Sequence, residues 1–192
     1  MSVSNKGSVG PTTTEDTAAA RLQDPAVSIV ASRWFAAGVR IVMGLLWLTN
    51  AGWKTPPDFG REGGRGLFRF TSFAVEHEVF APFAFVVREI VLPNFTLFGW
   101  MVLLVEAALG TFLLLGLGTR LWALIGAAQA ALITLSTLNA PGEWNWGYYM
   151  FVAIHLLLFA TAAGRFAGLD GLLRPAWERR NSRLSRLLLW CS

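Results

Sequence analysis

Four stretches of the chain are apolar and nearly free of charge: 34–53, 95–117, 121–138 and 146–163. A helix needs about 20 such residues to cross the hydrocarbon core of a bilayer. The only ionisable exceptions that weigh on the pattern are Arg40, Glu106 and His155. Gly-Leu-Gly-Thr-Arg at 116–120 reads as a tight turn, and Asn139–Asn145 as a short loop on the other side. Short connections make consecutive helices antiparallel neighbours. The pattern therefore predicts an all-α membrane protein, a four-helix transmembrane up-down bundle over 27–170.

Three segments lie outside those spans. Residues 1–26 are polar, with a Thr-Thr-Thr-Glu-Asp-Thr run, and read as a disordered tail. They have no apolar core after a basic start and no small-residue cleavage site, so they do not read as a secretory signal. The loop 54–94 opens on breakers (Pro56-Pro57, Gly63-Gly64, Gly66) and continues with Phe68, Phe70, Phe73, Phe80, Phe83 and Phe85 among acids and arginines. It is too polar to span and too apolar for water. One or two amphipathic helices at the interface are expected, broken near Pro82 and ended before Pro93. Such a loop is a cap over the bundle, a lid, or a docking surface for a periplasmic partner. Residues 171–192 read as a basic amphipathic helix, with Arg179, Arg180, Arg183 and Arg186 facing headgroups and the Leu and Trp side chains in the acyl boundary.

Orientation follows from lysine and arginine, because acids contribute little to it. Ten lie on one side (Lys6, Arg21, Arg33, Arg120, Arg165, Arg174, Arg179, Arg180, Arg183, Arg186) and five on the other (Lys54, Arg61, Arg65, Arg69, Arg88). A cell-membrane protein with both termini in the cytoplasm is expected.

Composition narrows the chemistry. Only 15% of the 192 residues are charged, against about 25% in soluble domains, and the length allows one small bundle without an added soluble enzyme domain. No nucleic-acid partner is implied. A single Cys191 excludes an internal disulfide, a Cys-based zinc site and an iron–sulfur cluster. Of the two histidines, His77 lies in the loop, so His155 has no partner for a bis-His haem, and no metal site is assigned. No catalytic residue is assigned either.

Ionisable groups inside spans are functional hypotheses by default. From the end of each span, Arg40 lies roughly 10 Å in, Glu106 16 Å, Gln129 15 Å and His155 14 Å. Four helices thus place one polar side chain each at a common level, and lipid cannot solvate them. Arg40 with Glu106 is the expected ion pair. It is either a satisfied pair that sets helix register or part of a site for a polar headgroup such as a quinone ring, with His155 as donor or relay. Lys54, at the outer end of the first span, is an anchor that snorkels to phosphate or a guard at the pocket mouth with Trp144 and Trp146. Gly38, Gly44, Gly99, Gly110 and Gly126 allow close helix approach.

Arg40, Gly44, Asn50, Gly52 and Lys54 in the first span, Glu106, Gly110, Leu115-Gly116 and Thr119-Arg120 in the second, and Gly164-Arg165 with Leu169-Asp170 at the close together resemble the DoxX family. The similarity spans residues 33–174, in the branch related to DoxD, read here as the larger membrane subunit of thiosulfate:quinone oxidoreductase. The long Phe-rich loop and the basic tail depart from that pattern. The resemblance implies a four-helix membrane protein working with redox partners, and points to Arg40, Lys54, Glu106 and Arg120 as the residues to test first.

The expectation is a membrane subunit of a quinone-linked oxidoreductase. Arg40, Glu106, Gln129, His155 and Lys54 are the candidate quinone or polar-pocket residues, no cofactor is covalently held, and the partners are the lipid bilayer and other membrane or periplasmic redox subunits. The alternative is a non-catalytic scaffold or accessory subunit of a larger membrane complex. A small transporter fits less well, because the spans are uninterrupted by Pro.

Overall fold

The computed structural model describes residues 25–180 and 182–192. Among these residues the regular structure is helical and no strand forms. Helix α1 covers Pro25–Gly52. Two short helices follow in the loop, α2 over Gly66–Glu76 and α3 over Ala81–Val86, and α3 runs straight into a π-helical turn at Val87–Val91. The long helices α4, Phe95–Leu115, α5, Thr119–Thr137, and α6, Asn145–Thr161, come next. A 3₁₀ turn at Ala163–Arg165 leads into α7, Leu169–Glu178, and α8, Arg183–Cys191.

Ser28–Gly52, Phe95–Leu115 and Thr119–Thr137 are long and apolar enough to cross a membrane. Their outward faces carry Leu45, Leu46, Leu97, Met101, Leu104 and Leu124, all exposed, while the buried core is small: Met43, Trp47, Leu109, Leu113 and Leu158. More apolar surface outside than inside is the inverse of a soluble core, and lipid is the solvent that tolerates it. The chain is a multi-pass membrane protein. The stretch expected as a span over 146–163 is a 17-residue helix, roughly 26 Å of rise.

Glycine sets how closely the helices approach. A Cβ on Gly44 of α1 would stand 2.8 Å from the Leu114 side chain and 3.0 Å from the Gly110 carbonyl of α4, and one on Gly110 would stand 2.9 Å from the Gly44 carbonyl. The backbones themselves touch. Gly44→Val should therefore cost about 1–3 kcal/mol by overpacking in thermal unfolding in detergent. Gly38→Val is the control, since a Cβ there meets nothing within 4 Å. An equal loss in both would mean the crossing is not tight. Phe112 of α4 stacks on Trp122 of α5 at 4.6 Å, and Trp47 of α1 meets Phe151 of α6 at 4.9 Å.

The loop helices expected within 54–94 are present, but the break falls over 77–80. Pro82 sits in the first turn of α3, where a missing N–H is harmless. The loop also has its own core. Phe59, 1% exposed, lies in the notch left by Gly99 of α4, and Phe68 meets Phe95 at 5.0 Å. Asn139 donates to the Glu78 carbonyl at 2.9 Å and ties the loop to the end of α5.

Two boundaries differ from expectation. The tail expected over 1–26 lies outside the described residues up to 24, and Pro25 and Ala26 already belong to α1. The basic tail is two helices rather than one. The chain leaves helical geometry after Arg179, and Ser182 restarts it with a reciprocal capping box to Ser185.

Candidate functional site

Side chains on a helix lean toward its N-terminus, and this tilt bears on where the Arg40 guanidinium of α1 goes. Lys54 follows the last turn of α1 and folds back over it. Its Nζ donates to the Asn50 carbonyl at 2.8 Å and to Oε2 of Glu106 on α4 at 2.5 Å. Both side chains are almost wholly buried, 2% and 1% exposed. Gln129 of α5 approaches the other carboxylate oxygen at 3.5 Å. An ammonium has three protons, and two are engaged by these partners. The Trp53 ring lies 4.4 Å from the same Nζ.

The expected pair of Arg40 with Glu106 does not form. Arg40 is equally buried, but the same tilt carries its guanidinium away from Glu106. It donates to the Leu113 carbonyl, to the Leu114 carbonyl at 2.9 Å and to the Ala167 carbonyl at 2.8 Å. Leu113 and Leu114 end α4, whose last carbonyls have no partner within the helix, so a cation there satisfies acceptors and complements the helix dipole. Asp170, fully buried, does the converse for α5. Its carboxylate accepts from the N–H groups of Gly118 at 2.7 Å and Thr119 at 2.8 Å, while its own N–H donates to the Gly116 carbonyl at 2.8 Å. Gly116 is what the turn requires: φ is +63°, and a Cβ would stand 2.7 Å from the Arg40 guanidinium and 2.8 Å from Gly168. The α4–α5 turn is thus clamped by opposite charges, with the motif residues at 40, 116, 119 and 170 all gathered at it.

His155 is also placed apart from the ion pair. Its Nδ1 lies 2.7 Å from the Phe151 carbonyl, and its Nε2 accepts from the Trp47 indole at 2.8 Å. An indole N–H only donates, so Nε2 carries the lone pair, Nδ1 carries the proton, and the ring is a neutral imidazole with both nitrogens engaged. Its Cδ2 and Nε2 atoms lie against Gly126 of α5, where a side chain would collide with them. Trp47 was missed in the sequence because a tryptophan in an apolar run carries no mark of a hydrogen bond. Asp170 was missed as a site because it lies outside every span.

A cavity of about 630 Å³ opens between the loop helices and the α4–α5 pair. Lys54, Glu106 and Gln129 line it; Arg40 and His155 do not. Its walls are apolar, with Phe70, Phe83, Val87 and Val91 from the loop and Phe98 and Val102 from α4. Gln129, Ile133 and Ser136, at i, i+4 and i+7, extend one face of α5 along it, roughly 10 Å from first to last. A second polar group, Tyr148 donating to Glu143, stands among the lining residues. A charged pair under apolar walls suits an amphipathic ligand with an oxygen-bearing head.

Residues 68–190 match the family described as TQO small subunit DoxD. That description makes DoxD the small subunit, where the sequence resemblance had it as the larger. No curated protein and no solved structure matches the chain.

Proposed function

The chain belongs to the DoxD family, and on that premise we propose that it is a membrane subunit of a quinone-linked oxidoreductase whose cavity receives the quinone headgroup. In this reading α1, α4, α5 and α6 are the spans of a four-helix up-down bundle, α6 being a short fourth span. The excess of lysine and arginine at the tail end supports a cell-membrane protein with both termini in the cytoplasm. Partner subunits supply the other redox centre.

The observation that carries the proposal is the Lys54–Glu106 ion pair within a largely apolar cavity. A buried ion pair can be replaced by apolar residues with little loss of stability, so stability alone gives weak reason to keep one here. Its position gives a better one. The third proton of Lys54 is available to a ring carbonyl, Gln129 adds an amide, and the apolar walls take the ring and its chain. A cavity of about 630 Å³ falls in the size range of small-molecule sites.

Purified from membranes, the chain should carry extractable quinone. The doubly neutral variant Lys54→Met/Glu106→Leu should remain folded and lose at least about tenfold in quinone retention, the loss of a charge-assisted hydrogen bond. Wild-type protein that neither retains nor rebinds quinone would refute the proposal.

Exposed aromatic side chains at the loop end favour the scaffold reading as a second possibility: Phe80, Phe85, Trp144 and Trp146 are all outward. If the chain only organises a complex, Phe85→Ser releases a partner in detergent pull-downs, and no quinone is found in either protein.

A further inference from the structure

The hairpin of α7 and α8 has no part in the cavity. Asp170 rivets its base to the α4–α5 turn, α8 packs on α5, and Trp190 meets Phe159 of α6 with ring centroids 6.5 Å apart. The hairpin therefore lies at the ends of the long helices.

Its exposed surface mixes two kinds of side chain. Leu172, Leu184, Leu187 and Trp190 are outward, 75%, 65%, 57% and 48% exposed. Arg179, Arg180, Arg183 and Arg186 are exposed beside them, around the connection between the two helices. Among the described residues none of the four pairs with a carboxylate. Arg183 and Arg186 occupy the start of α8, whose first turn holds no acidic residue. The positive end of a helix dipole disfavours cations, so Arg183 and Arg186 stand where the backbone opposes them, while Arg179 and Arg180 follow the end of α7, where it favours them. Water does not reward four leucine and tryptophan side chains, and hydrocarbon does not take four guanidiniums. The phosphate level of a bilayer takes both, with tryptophan at the boundary and arginine reaching to the headgroup.

We infer that the α7–α8 connection is a binding site for the phosphate of an anionic phospholipid, with Leu184, Leu187 and Trp190 among its acyl chains. The inference stands independently of quinone binding. Buried Cys191 takes no part as a thiolate, since burial, and then the charge of Asp170, push its thiol up.

The test reconstitutes the full chain in phosphatidylcholine nanodiscs containing a minor fraction of phosphatidylglycerol, then reads the lipids retained on mild delipidation by native mass spectrometry. Wild-type protein should retain phosphatidylglycerol several-fold above its bulk share, and the excess should shrink as salt rises. Each Arg→Gln change should reduce the excess by up to about fivefold, and the quadruple change at 179, 180, 183 and 186 should abolish it. The quadruple Arg→Lys variant should keep most of it. Should the glutamine variant fail to assemble, the salt titration of wild type decides by itself. Retention in the bulk ratio, enrichment indifferent to salt, or enrichment that survives the glutamine variant overturns the inference. So does a wild type that ignores lipid charge yet loses an acidic protein partner in the glutamine variant, which would make this face a protein-docking surface.

Discussion

Glu106→Leu lowers stability by about 3–5 kcal/mol, and Lys54→Met/Glu106→Leu together lower it far less. The single change strands the Lys54 ammonium, 2% exposed, with only the Asn50 carbonyl as a close acceptor. A buried charge without its counter-ion loses solvation that nothing repays, whereas removing both charges removes the debt along with the attraction. Thermal unfolding of the two single variants and the double variant in one detergent gives the coupling directly. Losses that simply add would mean that the two groups do not interact. The same double variant is the one expected to release quinone, so stability and ligand binding separate in one protein.

Arg40→Met and Asp170→Ala are the second pair. Arg40→Met leaves the part-buried carbonyls of Leu114 and Ala167 without their donor, at up to roughly 1–3 kcal/mol for each. Asp170→Ala uncaps Gly118 and Thr119 for about 2–4 kcal/mol. Asp170→Asn should fall between, because its amide offers one oxygen where the carboxylate offers two. Melting temperatures should rank Asp, Asn, Ala in descending order. An Asn variant as stable as wild type would show that shape, and not the second acceptor, does the capping. Neither change should alter quinone retention in whatever fraction remains folded, since neither residue lines the cavity.

Much of the architecture was legible in hydropathy because glycine punctuates it. The ends of α4 and the start of α5 fall within two residues of expectation, at Gly116 and Gly118, whose positive φ values stop one helix and precede the next. The start of α1 was not legible. Ser28, Ser32 and Arg33 interrupt the apolar run but do not interrupt a helix, so α1 begins at Pro25 rather than near 34. Hydropathy measures solvent preference, and helix formation does not wait for it.

At the site, axial depth brought Glu106 and Gln129 together correctly and misled for Arg40. Depth ignores the direction in which a long side chain leans. Arg40 lies within α1, whereas Lys54 lies two residues past its end at Gly52 and folds back over its last turn. Both reach toward the start of that helix, which sends Arg40 to the end of α4 and brings Lys54 inward to Glu106. His155 stood at the expected level but was claimed by Trp47, a partner that apolar patterning does not distinguish from packing.

The clamp at Gly116–Thr119 joins parts of the chain that leave the ribosome far apart in time. Arg40 emerges early, the turn much later, and Asp170 some fifty residues after that. Until Asp170 has been translated, the first amides of α5 lack their acceptor, so this corner of the protein closes late in biosynthesis, after all the long helices have been made.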